Sequence, residues 1–147
     1  MRKLLALCLL SVGLSACVST STTQLTTPNS LTGVWSGDIT LQGASGRMTW
    51  TLTQNDASVS GPILVVLPTG TVLLNGALTG TLSGTTLTYV INIGAGAIPS
   101  LPACTGQLGG SATVTLGNTS TMTGTYSVVS SSCTVPLSSG TFTLTKM

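Results

Sequence analysis

The chain has 147 residues, of which four are Lys or Arg, two are Asp or Glu and none is His, for a formal net charge of +2. That length suits one domain. The lack of any basic patch removes the electrostatic basis for nucleic-acid binding, and the lack of histidine removes the usual base and the usual metal ligand.

Arg2 and Lys3 open the chain, an apolar run follows from Leu4 to Val12, and the stretch closes on Leu14-Ser15-Ala16-Cys17. A charged start, a short apolar segment and small residues make up an export signal. The run is far shorter than the ~20 residues a membrane-crossing helix needs. With its cysteine directly after the small residues, the stretch resembles the lipobox of bacterial lipoproteins. The resemblance implies that residues 1–16 are removed and that Cys17 carries a diacylglyceryl thioether and an N-acyl chain. Two lipid signals already anchor a protein stably, so the membrane is the first implied partner. Val18 stands where inner-membrane retention signals usually carry Asp. An outer-membrane location is therefore implied, on a face the sequence does not specify. Arg2, Lys3 and Cys8 leave with the leader. What remains carries Asp38, Asp56, Arg47 and Lys146 and is formally neutral. Its solubility then rests on its many Thr and Ser hydroxyls.

Residues 17–30 continue as a Ser/Thr-rich segment without apolar periodicity, which reads as a flexible tether. The folded part is expected over 31–147, and from there the period is two. Trp35, Ile39 and Leu41 share one parity, with Ser36, Asp38 and Thr40 on the other. Met48, Trp50 and Leu52 alternate with threonines; so do Leu87, Tyr89, Ile91 and Ile93, then Ala112 and Val114, Met122 and Tyr126, and Phe142 and Leu144. Each run predicts a half-buried antiparallel strand, and threonine suits the outer face by being both β-branched and polar. Turn residues separate the runs, as in Asn55-Asp56, Pro68-Thr69-Gly70, Ser83-Gly84 and Gly117-Asn118. Strands are expected over 33–41, 47–54, 58–67, 71–82, 85–93, 105–116, 119–129 and 139–146. The fold class is all-β. A single antiparallel up-and-down barrel of about eight strands is favoured because closure removes exposed edges. A two-sheet β-sandwich is the alternative. Glycines within the runs, such as Gly80 and Gly124, fit either barrel coiling or a plain Gly/Thr bias.

Two stretches break the alternation. Ile63, Val65 and Leu67 lie in an apolar run before Pro68, and Val72 and Leu74 lie in another after Gly70. This hairpin reads either as buried on both faces or as an exposed patch that meets a partner, so these five residues are the candidate interface. The uncharged segment from Gly94 to Ala103 lids or caps one end of the barrel and leads into Cys104. Cys104 and Cys133 form an isolated pair in an exported domain and are expected to be a disulfide. Closing a loop of about 30 residues contributes roughly 3–4 kcal/mol in the chain-entropy model. The pair has neither the spacing nor the nearby cation of a redox centre, and no histidine completes a zinc site.

Gly33-Val34-Trp35 resembles the G-x-W of lipocalins and avidin-like proteins, and Thr123-Gly124-Thr125-Tyr126 is similar to the glycine-containing strands of avidin-like barrels. That resemblance implies an eight-stranded barrel with Trp35 plugging one end; by their parity Trp50, Tyr89, Tyr126 and Phe142 are expected in its core. The chain departs from the lipocalin pattern in its last strand, which has Lys146 and no arginine to stack on the tryptophan. It has too few tryptophans for an avidin-type biotin pocket.

Asp38 falls on an outward parity, Asp56 in a turn, and no serine has a base to activate it. No catalytic residue, metal site or cofactor is assigned, and an enzyme is not expected. Two functions compete. One is a non-catalytic envelope lipoprotein acting through protein contacts. The other is a lipocalin-like or avidin-like carrier of a small apolar ligand. The first is preferred at this stage because no convergent polar groups mark a pocket.

Overall fold

The computed structural model describes residues 30–41 and 44–147. The export signal, Cys17 and nearly all of the tether lie outside the described residues. Eight strands follow one another: β1 (Gly33–Leu41), β2 (Ala44–Asn55), β3 (Ser58–Val66), β4 (Val72–Ser83), β5 (Thr86–Ile93), β6 (Gly106–Thr115), β7 (Thr121–Ser131) and β8 (Gly140–Lys146). Each pairs antiparallel with the next, and β8 returns to β1 through Trp35↔Lys146 and Ser36↔Thr145, closing the barrel. The up-and-down barrel is the architecture, and the sandwich is not. β2 starts earlier than its sequence pattern suggested. Ser45 and Gly46 look like turn residues but pair with Thr40 and Ile39. Glycine is needed there because a Cβ on Gly46 would come within 2.8 Å of the Val66 carbonyl oxygen.

Side-chain parity sorts the barrel as the alternation predicts. Trp35, Trp50, Leu87, Met122 and Leu144 are fully enclosed, and Thr-rich positions between them face out. Burial of each Leu-sized side chain contributes roughly 1.5–3 kcal/mol. The in-strand glycines have a specific partner. Tyr89 lies across from Gly80 on one side and Gly110 on the other. Tyr126 lies between Gly110 and Gly140, and Phe142 lies across from Gly124. A Cβ on Gly140 would meet the Tyr126 ring at 2.9 Å, and one on Gly124 would meet Phe142 at 2.8 Å. The missing side chains are the space the rings occupy. Trp50 completes the cluster, with ring centroids 5.1 Å from Tyr89 and 4.8 Å from Phe142.

An even number of up-and-down strands gives the barrel two unlike ends. The chain enters and leaves at one end. There Leu31 is buried, its carbonyl accepts the Trp35 indole N–H at 2.8 Å, and its own N–H donates to Gln54 Oε1 at 2.8 Å. Lys146 donates to the Ser30 carbonyl at 2.7 Å and holds its ammonium 5.8 Å from the Trp35 ring centroid. A lysine thus covers the tryptophan where the lipocalin pattern would place arginine. Gly33 makes room for it: φ is 137°, and a Cβ would lie 3.0 Å from the lysine Cε. The opposite end carries the β3–β4 turn and the two long connections, residues 94–105 and 132–139.

Candidate functional site

The two long connections are built to stay in place. The β5–β6 connection folds inward so that Ala97 and Ile98 are buried. It is held by its own turns, Gly96 N–H to Pro102 O at 2.7 Å and Leu101 N–H to Ile98 O at 2.8 Å. It is tied to β4 by Asn75 N–H donating to Ala97 O at 2.8 Å. The segment from Gly94 to Ala103 therefore closes over the mouth, at the end away from Trp35. Cys104 lies one residue before the end of this connection and Cys133 one residue after the start of the β7–β8 connection. The two form a disulfide with Cα atoms 4.5 Å apart, as the isolated pair implied. Beside it, Ser132 N–H donates to Thr105 O at 2.9 Å and Thr105 N–H donates to Ser132 Oγ at 3.0 Å.

Between the stapled connections lies a half-open cavity of about 240 Å³. Leu73 and Leu74 form one wall, Ile98 and Leu101 a second, Val135 and Leu137 a third, with Leu108 and Tyr126 beneath. Its only side-chain polar groups are the hydroxyls of Ser100, Tyr126 and Ser138, and no charged residue lines it. Burial raises the Tyr126 phenol above its ordinary value of 10.0, and a hydrogen bond with Ser138 works the other way. Tyr89, deeper in the barrel, is raised further by burial and donates to Thr125 O at 2.8 Å. Below Tyr126 the interior is nearly filled. A residual space of about 20 Å³ among Met48, Trp50, Tyr89 and Phe142 would hold one water. The Trp50 indole N–H, buried close to this space, has no hydrogen-bond partner.

The candidate interface hairpin is placed differently from an exposed patch. Ile63, Val65 and Leu74 point into the barrel and are buried, and Leu67 and Val72 are half-buried. The outward residue of this run is Leu64, 39% exposed. Five residues therefore do not form a docking face. Three belong to the core, and Leu74 also lines the mouth. Trp35, Trp50, Tyr89, Tyr126 and Phe142 are all buried, with Trp35 at the plugged end and Tyr126 under the mouth. Sequence reasoning named the β5–β6 connection and missed the other wall. Its signal was Val135-Pro136-Leu137, an apolar tripeptide set in a serine-rich loop directly after Cys133.

Groups for acid–base chemistry do not converge on the mouth. Asp38 and Arg47 pair with each other at 3.8 Å on the outer wall. Lys146 lies at the far end, and Asp56 is in the β2–β3 turn there. Among the described residues no three His, Cys, Asp or Glu lie close enough to hold a metal ion. The fold and site define a closed eight-stranded barrel with one plugged end and one disulfide-stapled apolar mouth. Compared with known proteins, the chain matches no family model, no curated protein and no solved structure.

Proposed function

We propose that this chain is a non-catalytic envelope lipoprotein, anchored to a membrane through Cys17, whose barrel binds a small apolar ligand at its mouth. The cavity between the stapled connections carries this reading: it is enclosed on three sides, apolar, and held open by covalent and backbone bonds. At about 240 Å³ it is smaller than the pockets that take drug-sized molecules, and the filled interior below confines a ligand to the mouth. The lipobox resemblance supports the anchor and the outer-membrane location. The tether joins the barrel at the plugged end, so the mouth faces away from the point of attachment.

Protein contact is the second reading. It is favoured by one observation: Val135, 46% exposed, stands on the rim of the same apolar cavity. A partner's apolar side chain inserted there would act as an anchor residue.

The test is thermal unfolding of the exported domain with a panel of small apolar probes. A ligand that binds only the folded barrel raises its stability, by about 2.7 kcal/mol at a hundredfold excess over Kd. The ligand reading expects such shifts in the wild type and their loss in Leu101→Trp, which fills the mouth. Probes that leave the melting temperature unmoved, together with envelope cross-links lost in Leu101→Trp, would favour protein contact instead.

A further inference from the structure

We infer that the mouth selects an uncharged molecule of roughly eight to ten non-hydrogen atoms, apolar along most of its length, with one hydrogen-bond acceptor for the Tyr126 phenol. This rests on the ligand reading above and specifies its chemistry.

Charge exclusion follows from the lining. An ionised head group brought into the mouth would lose water and find no opposite charge, which is strongly unfavourable. Asp38 and Arg47 are engaged with each other on the outer wall, and Lys146 is at the opposite end. The requirement for an acceptor follows from the hydroxyls. Ser100, Tyr126 and Ser138 carry the only side-chain polar groups in the lining, and a phenol O–H can donate to a ligand's acceptor. The ring itself is fixed: Gly110 and Gly140 lie across from it on both sides, and Gly140 approaches so closely that a Cβ would lie 2.6 Å from the phenol oxygen. A donor on a ring so closely packed at the floor of an apolar cavity discriminates by hydrogen bonding, because only a ligand that carries an acceptor can bond to it.

Isothermal titration at pH 8 with octan-2-one, octane and octanoate tests the inference on the disulfide-bonded domain. The ketone is expected to bind about tenfold more tightly than octane, and octanoate more weakly than either. Tyr126→Phe should bring the ketone down to the level of octane while leaving octane unchanged. Ser138→Ala, which keeps the phenol, should preserve the ketone's advantage. Circular dichroism confirms that both variants fold. Octanoate binding as tightly as the ketone would overturn the exclusion of charge. A ketone advantage that survives Tyr126→Phe, or is absent in the wild type, would overturn the role of the phenol. Failure of all three probes to bind would instead overturn the ligand reading beneath it.

Discussion

Tyr89, Tyr126 and Phe142 each lie across a strand pair from glycine, and this pairing decides how the rings fill a barrel that has few large side chains. A methyl group at Gly110 would collide with the Thr125 carbonyl and stand 2.8 Å from the Tyr89 hydroxyl. Gly110→Ala should therefore destabilise the domain by about 1–3 kcal/mol, the usual cost of overpacking, measured by chemical denaturation. Lys146→Met removes both the bond to the Ser30 carbonyl and the cation beside Trp35. It should cost about 1–2 kcal/mol, and Lys146→Arg should recover most of that loss. The tyrosines also set a pH limit. Their folded values lie above the ordinary 10.0, so above that pH the unfolded chain loses phenol protons that the barrel retains. Their contribution is complete below pH 10 and is lost as pH rises beyond it, which denaturation midpoints taken from pH 8 to 11 would show. At this scale the alternation of apolar and threonine residues revealed which side chains face inward. It did not reveal why Gly80, Gly124 and Gly140 interrupt it, because their partners lie on other strands.

The strands and their connections differ in how they are held. Six of the eight strand pairs run without a register break, but β3–β4 shifts between Val65 and Val66 and β6–β7 between Gln107 and Leu108. The first break falls inside the apolar run from Ile63 to Leu67. A continuous run hides its own parity, which is why buried Val65 stands among the candidate interface residues. Val65→Lys should unfold the domain, since it buries a charge without a partner. Leu64→Lys should change stability by no more than about 0.5 kcal/mol. Denaturation of the pair separates core from surface in this hairpin. The connections depend instead on the disulfide. Replacing Cys104 and Cys133 by alanine should lower stability by about 3–4 kcal/mol and weaken probe binding at the mouth, because six of its lining residues lie in 98–101 or 135–138. The cysteine pair was legible from its isolation in the sequence. The cavity was not, because its two walls are separate loops brought together only when the barrel closes.

At the scale of the whole molecule, closure explains how so weakly charged a chain presents a usable surface. Among the described residues the sheet closes on itself through the pairing of β8 with β1, which curtails the usual template for edge-to-edge association. Threonine and serine cover most of the outside, and apolar surface suited to binding is gathered at one end. The chain enters at the other, where Leu31, Trp35 and Lys146 lock it into the barrel. The proposed anchor then joins at one pole and the proposed ligand site lies at the opposite pole, which is the arrangement expected of a tethered receptor for a small molecule. Native mass spectrometry of the lipidated protein released gently from its own membrane tests this most directly. The account predicts a bound neutral molecule of low mass on the wild type that is missing from Leu101→Trp. Wild-type protein carrying no small molecule, or carrying one that Leu101→Trp retains, would contradict it.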